Sequence, residues 1–254
     1  MPQETLLGMT LATSARYGSL LIPAASLQSH LGKAAFPLIT WAHHETYKVS
    51  LRGSAIGLFH DDRPLLICSR HQIVDMDFED VGMMLPDGSH FITSAGSRSF
   101  RDGAHLQESD AYDLVAFNFS EPATQHPELV KDFFKFTQVP PDISNDQILA
   151  FVVAGFPSND QKYELAEKNH LGTVRRVMTA EPDDQSVDPA LLRLRFTEGL
   201  DFEPDGLSGG PAFVVQMHHR EPTVFLAGMI VRAGKTHCYL LKVRFIWDFI
   251  TASF

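Results

Sequence analysis

Gly206-Leu207-Ser208-Gly209-Gly210-Pro211 sets a serine among glycines, on a backbone stripped of side chains before and after the hydroxyl. Such a stretch lets neighbouring N–H groups converge on a point beside the serine oxygen, which is what an acyl-transfer nucleophile needs. Ser208 is therefore the first candidate for chemistry. A plain glycine turn has the same composition, so the reading depends on whether the chain also supplies a base and an acid in a fitting order.

Working outward, Pro64-Leu65-Leu66-Ile67-Cys68-Ser69-Arg70-His71 reads as an apolar strand that stops at a histidine. Tyr112-Asp113-Leu114-Val115-Ala116-Phe117 reads as an aspartate opening another apolar strand. Taken singly, each has a bland alternative: a surface histidine, one of 12 in the chain, and a turn aspartate. Together with Ser208 they fall in the order His, Asp, Ser, one of the known solutions to placing a nucleophile, a base and an orienting acid. The glycine motif also satisfies Gly-x-Ser-x-Gly, the nucleophile elbow of α/β-hydrolases, but that fold needs its acid and then its histidine after the serine. Here His218, His219 and His237 all precede the last aspartate, Asp248, and alternating βα units are absent.

Short apolar runs separated by turn residues dominate the chain: 46–51, 55–59, 64–68, 113–119, 148–155, 172–178, 191–196, 211–215, 224–231 and 239–245. Leu85-Pro86-Asp87-Gly88 reads as a turn. These strands with little helix between them predict an all-β fold, a barrel or sandwich. Two helices are expected, over 127–134 and over 245–252, the latter with apolar residues at 246, 249 and 250 on one face. A composition shift near 138–147 divides the β region into comparable halves, and residues 1–36 stand apart as an extension with no strand pattern.

The chain has 254 residues and a formal net charge of −10, which gives no footing for a phosphate backbone and excludes nucleic acid as a natural partner. No apolar run approaches a membrane span, and the Met-Pro-Gln-Glu start lacks a basic n-region, so a cytoplasmic location with no membrane association is expected. Two cysteines, Cys68 and Cys238, make no disulfide framework and suit a reducing compartment.

The glycine–serine motif, the strand ending in His71 and the Asp113-Leu114-Val115-Ala116 strand resemble the three signature regions of trypsin-like (chymotrypsin-fold) serine peptidases. Arg52-Gly53-Ser54-Ala55-Ile56-Gly57-Leu58 is similar to the strand preceding the histidine in that family. Leu226 to Val231 is similar to the strand that follows the serine, and Gly155-Phe156-Pro157 to a turn of compact, disulfide-free prokaryotic members. The resemblance covers roughly 45–254. It implies two six-stranded antiparallel β-barrels with a C-terminal helix, the first over 37–138 with His71 and Asp113, the second over 139–254 with Ser208.

It further implies a serine endopeptidase acting on a protein or peptide substrate, with no cofactor and no metal. Ser208 would attack, His71 would carry the proton, Asp113 would orient His71, and the N–H groups of Gly206 and Ser208 would form the oxyanion hole. Phe202 and Glu203 would lie at the base of the specificity pocket, with Val231, Arg232, Ala233 and His237 on its walls. Leu207 departs from the pattern: zymogen-activated members carry an aspartate there that pairs with a freed N-terminus. A leucine makes no such pair, so packing or an activating protein partner must shape the oxyanion hole. Gln72 stands where a cysteine is frequent. The competing expectation is a binding module, a peptidase fold whose site is dormant or gated by a partner.

Other candidates carry less. His43-His44 and His218-His219 are adjacent pairs, which on a strand point to opposite faces and chelate poorly. Cys68 reads as a small core residue, Asp61-Asp62 and Asp183-Asp184 as turn residues, and Gly234-Lys235 is too short for a phosphate loop.

Overall fold

The computed structural model describes residues 13–100, 110–142, 145–164, 170–183 and 188–254. The first part of the chain forms β1 (Ser14–Tyr17), β2 (Leu20–Pro23), α1 (Ala24–Gly32), β3 (Ala35–Trp41), β4 (Val49–His60), β5 (Arg63–Cys68), β6 (Val81–Met84), β7 (Phe91–Thr93), β8 (Ser97–Ser99), β9 (Val115–Asn118), α2 (Ser120–Gln125) and β10 (Phe134–Lys135). The second part forms β11 (Ile148–Gly155), β12 (Lys162–Glu164), β13 (His170–Gly172), β14 (Arg176–Pro182), β15 (Leu191–Phe196), β16 (Pro211–His218), β17 (Glu221–Ala233), β18 (His237–Lys242) and α3 (Val243–Ser253).

The fold is all-β. In the second part, strands β16-β11-β14-β15-β18-β17 run in that order, and β16 pairs again with β17 to close a six-stranded antiparallel barrel. The first part is a sheet in the order β7-β6-β3-β4-β5-β9-β8, with β10 added parallel to β4. Among the described residues no pairing joins β7 to β8, so this sheet is not closed by hydrogen bonds as the barrel is. Strands β12 and β13 form a separate hairpin.

Local chemistry accounts for the main elements. Ile148–Gly155, a nearly continuous apolar run, becomes β11 at the bounds expected, flanked by two strands and therefore buried for most of its length. Residues 49–51 of one expected segment and all of 55–59 of the next fall in one strand, β4, because Gly53 and Ser54 continue the pairing with β3 past a bulge at Arg52. The β4–β5 hairpin turns on Asp61 and Asp62, both with positive φ (47° and 60°), the backbone a two-residue primed turn demands.

Two expectations fail. Residues 127–134 are not a helix but a 3-10 turn, Pro127–Leu129, followed by the extended β10. Leu129, Val130, Phe133 and Phe134 are buried while Lys131 between them is exposed, a pattern a helix could also show; the pairing of Phe134 and Lys135 with Leu58 and Phe59 of β4 decides for extended chain. The N-terminal segment is also not without strands. The β1–β2 hairpin joins the barrel sheet through a parallel contact of Arg16 with Thr223, and Leu27 and Leu31 of α1 are buried in the core. Four-residue strands are too short to show a period, which is why the sequence hides them. Residues 1–12 lie outside the described residues.

One hydrophobic cluster unites both sheets, with Ile56, Leu58 and Ile67 from one side meeting Val152, Phe213 and Leu226 from the other. α3 closes it: Val243, Ile246, Phe249 and Ile250 are buried as the expected face requires. Trp247 sets its ring edge-on to His60 (4.9 Å) and Phe136 (5.0 Å) of the first part. No helix among the described residues is long and apolar enough to cross a membrane.

The fold makes a direct stability prediction. Phe213→Ala, at a fully buried ring between the sheets, should cost about 3–5 kcal/mol. Val74→Ala, at a side chain 69% exposed, should leave the denaturation midpoint unchanged within error; equilibrium urea unfolding of both variants checks the contrast.

Candidate active site

His71 is presented by a short turn, not by the strand itself. Strand β5 ends at Cys68, and a 3-10 turn, Arg70–Ile73, follows with Ser69 as its N-cap. The Ser69 N–H donates to Oε1 of Gln72 (2.9 Å), part of a reciprocal capping box that fixes the turn. Asp113 lies between a second 3-10 turn, Asp110–Tyr112, and β9. Cys68 pairs with Val115, so the two turns leave the same end of adjacent strands side by side.

Asp113 grips His71 twice. Its Oδ1 accepts from the His71 backbone N–H (2.8 Å) and its Oδ2 from the ring Nδ1 (2.6 Å). That fixes the tautomer with Nε2 as the acceptor. Ser208 Oγ lies 3.1 Å from Nε2. The same hydroxyl lies 3.0 Å from the Val231 carbonyl and 3.5 Å from Ser69 Oγ. Having one proton, it serves one acceptor at a time. The His71 side chain is 52% exposed and the Asp113 side chain 18%, so the imidazole faces the cleft while its carboxylate is shielded.

The hydrogen bond to Asp113 lifts the His71 pKa above its ordinary 6.5, against a burial that pulls it down. The negative charges of Asp113 and Asp110 lift it further, and the positive charge of Arg232 lowers it. Arg232 and Asp110 pair with each other at 2.6 Å, linking β17 of the barrel to the turn beside Asp113.

The loop that carries Ser208 is fixed peptide by peptide. The Asp205 carbonyl accepts from the Ser158 N–H (2.8 Å), the Leu207 N–H donates to Pro204 (3.0 Å), and the Leu207 carbonyl accepts from the Gly210 N–H (3.0 Å). In a planar trans peptide the N–H points opposite to the C=O. The Gly206 N–H therefore points away from Ser158, and the Ser208 N–H away from Gly210. Among the described residues neither of these two amides donates to a protein acceptor, while the amides of Leu207, Gly209 and Gly210 all do. Gly206 has φ +92°, and a Cβ there would sit 2.6 Å from the Phe156 carbonyl oxygen, so only glycine fits. Leu207 is fully buried in the barrel's interior cluster, beside Gly155.

What this arrangement can do is proton transfer and nucleophilic attack: a hydroxyl within reach of an imidazole acceptor, the imidazole oriented by a carboxylate, and two nearby amides that donate to no protein acceptor among the described residues.

No protein-family model and no curated protein matches the chain. Among solved structures it is similar to the protease Anisep from Arthrobacter nicotinovorans, with a TM-score of 0.48 and 12% identity over 87% of this chain and 94% of that one. At that distance the likeness carries no argument about family or activity.

The remaining expected site residues are spread along the barrel. Val231 is buried and contacts Ser208 through its carbonyl. Arg232 is exposed, and its neighbour Ala233 packs at the edge of the barrel cluster. Phe202 lies under the Arg176 guanidinium (5.1 Å), and Glu203 pairs with Lys235 (2.6 Å). His237 is held by Asp183 (2.9 Å) and by Thr236 (2.7 Å). No hydrogen bond or ion pair joins Phe202, Glu203, Ala233 or His237 to His71, Asp113 or Ser208 among the described residues.

Both cysteines are buried and unpaired; burial raises the Cys68 thiol pKa and pushes that of Cys238 up to about 12, which leaves them unreactive. His43 binds Asp80 (2.8 Å), and the rings of His218 and His219 touch at a tilt (4.0 Å between centroids). No group of three or more metal-ligating side chains occurs among the described residues. Asp184 lies outside them.

Sequence reasoning missed Asp110 and Ser158. Asp110 carries no motif, and its part depends on Arg232, distant in sequence. Ser158 acts through its backbone N–H, which leaves no trace in residue identity.

The electrostatics of His71 can be tested without assuming any activity. The ring should titrate with a midpoint above 6.5. Asp110→Asn should move that midpoint down and Arg232→Ala should move it up. The NMR shift of the His71 Cε1 proton against pH reads all three.

Proposed function

We propose that this chain is a serine-type endopeptidase that hydrolyses peptide bonds through His71, Asp113 and Ser208. The observation that carries the reading is the unbroken chain of contacts from Asp113 Oδ2 to His71 Nδ1 (2.6 Å) and from His71 Nε2 to Ser208 Oγ (3.1 Å).

In this mechanism Ser208 Oγ attacks the substrate carbonyl carbon as His71 Nε2 takes the hydroxyl proton. The carbonyl oxygen becomes an oxyanion and accepts hydrogen bonds from the free N–H groups of Gly206 and Ser208. Asp113 keeps the proton-bearing Nδ1 toward itself and stabilises the imidazolium. Collapse of the tetrahedral intermediate breaks the C–N bond, and His71 passes its proton to the leaving amine. Water, deprotonated by His71, then releases the acyl group from Ser208. His71 is active as a base only when neutral, so its raised pKa places the rise in rate above pH 6.5.

The proposed substrate is a protein or peptide lying between the two sheets, which we assign to 37–138 and 139–254. Val231 and Arg232 border the reacting atoms, and Phe202, Ala233 and His237 are assigned to more distant substrate contacts. The unpaired, buried cysteines support a reducing, cytoplasmic setting.

A fluorophosphonate probe should label the wild-type chain once, at Ser208. Ser208→Ala and His71→Ala should each lower hydrolysis of a denatured casein substrate by on the order of 10⁶-fold, to the level left by binding and the oxyanion site alone. A folded wild-type protein that neither labels nor cleaves sinks the proposal.

A further inference from the structure

We propose that Ser54 and Gln72 are positioning residues that hold Gly206–Ser208 in its anion-accepting arrangement, so that the site is competent in the uncleaved chain without a partner. The inference rests on the peptidase reading above and names how that site is kept ready. Leu207 leaves no charge with which an ion pair could order the loop, so the restraint must come from elsewhere.

Ser54 lies on β4, on the opposite sheet from the loop, and is fully buried. Its hydroxyl donates to the Gly206 carbonyl at 2.6 Å and accepts from the Phe156 N–H at 2.8 Å. Its backbone N–H donates to the Ser208 carbonyl at 3.1 Å. One residue thus touches both ends of the Gly206–Ser208 stretch and the turn whose Ser158 N–H holds Asp205. Gln72 acts from a second side. Its Nε2 donates to the Ser208 carbonyl (2.7 Å) and to the Ser54 carbonyl (3.3 Å), while its Oε1 is fixed by the Ser69 N–H. Gln72 directly follows His71, so the imidazole and the restraint on the serine backbone are carried by consecutive residues.

The physical reason is the cost of orphaned groups. Removing the Ser54 hydroxyl leaves the Gly206 carbonyl and the Phe156 N–H without this partner in a buried place, a penalty a buried polar group relieves by moving. The cheapest movement available is rotation of peptides at Gly206, the residue with the fewest steric barriers. Turning the freed Gly206–Leu207 peptide pulls on the neighbouring Asp205–Gly206 peptide against its bond to Ser158 and tilts the Gly206 N–H off the point beside Ser208. The His71–Asp113 pair, anchored in the other sheet, is not disturbed by it.

The test is the rate at which a fluorophosphonate labels the full-length chain, followed by intact mass, alongside the NMR titration of His71. Wild type should gain one phosphonyl group on the uncleaved chain. Ser54→Ala should label about 10²-fold more slowly, the scale of losing one oxyanion donor, with the His71 midpoint unchanged. Ser54→Thr, which keeps the hydroxyl, should return to within about tenfold of wild type. Should Ser54→Ala fail to fold by circular dichroism, Ser54→Cys, which keeps the shape but offers only a weak donor, carries the same expectation.

Labelling of the variants at the wild-type rate overturns the positioning role. Labelling that appears only on a shortened chain, or only with an added protein, overturns the competence of the uncleaved protein. A wild type that never labels defeats the peptidase reading itself.

Discussion

The site depends on a place where two sheets meet backbone to backbone. The loop before β16 lies against β4 so closely that a Cβ on Gly209 would stand 1.9 Å from the Ser54 carbonyl oxygen, with φ there at +84°. A Cβ on Gly210 would stand 2.1 Å from the Ala154 carbonyl oxygen. No side chain can enter that seam, so the loop is held by main-chain hydrogen bonds and by the few side chains that reach in from its edges. Gly209 donates to Ile230 (2.7 Å) and Ser54 donates to Ser208 (3.1 Å). The first bond fixes the loop within the barrel; the second crosses to the other sheet and brings the serine of one sheet toward the histidine of the other.

Once the seam is set, the electrostatics follow. His71 and Asp113 come from adjacent turns of the first sheet, and their short contact shifts the imidazole toward its charged form. Arg232, from the barrel, reaches across to Asp110 beside that pair and opposes part of the shift. The two sheets therefore share the proposed nucleophile, the proposed base and the charges that tune the imidazole. Burying Leu207 gives the loop a hydrophobic anchor in the barrel interior instead of an ionic one. Such an anchor is insensitive to salt and to the state of the N-terminus.

Much of this was legible in the sequence. Strands with strong β character, Ile148–Gly155 and Leu191–Phe196 above all, fall at their expected bounds because the apolar run and its turn residues agree. The order of His71, Asp113 and Ser208 led to three side chains that the fold brings into contact. What stayed hidden was short or non-local. The β1–β2 strands have four residues each, below any readable period, and the apolar pairs 129–130 and 133–134 do not distinguish helix from strand. Ser54 and Gln72 matter through contacts to backbone carbonyls 152 and 136 residues away, and Ser158 through its own N–H. Residue identity records none of these.

The most direct measurement is a crystal structure of the chain after reaction with diisopropyl fluorophosphate. The account predicts phosphorus bonded to Ser208 Oγ, with the phosphoryl oxygen about 2.7–3.1 Å from both the Gly206 and Ser208 nitrogens. Asp205 should still accept from Ser158. An adduct on another residue would contradict it. So would an Asp205–Gly206 peptide turned so that its carbonyl faces the phosphoryl oxygen.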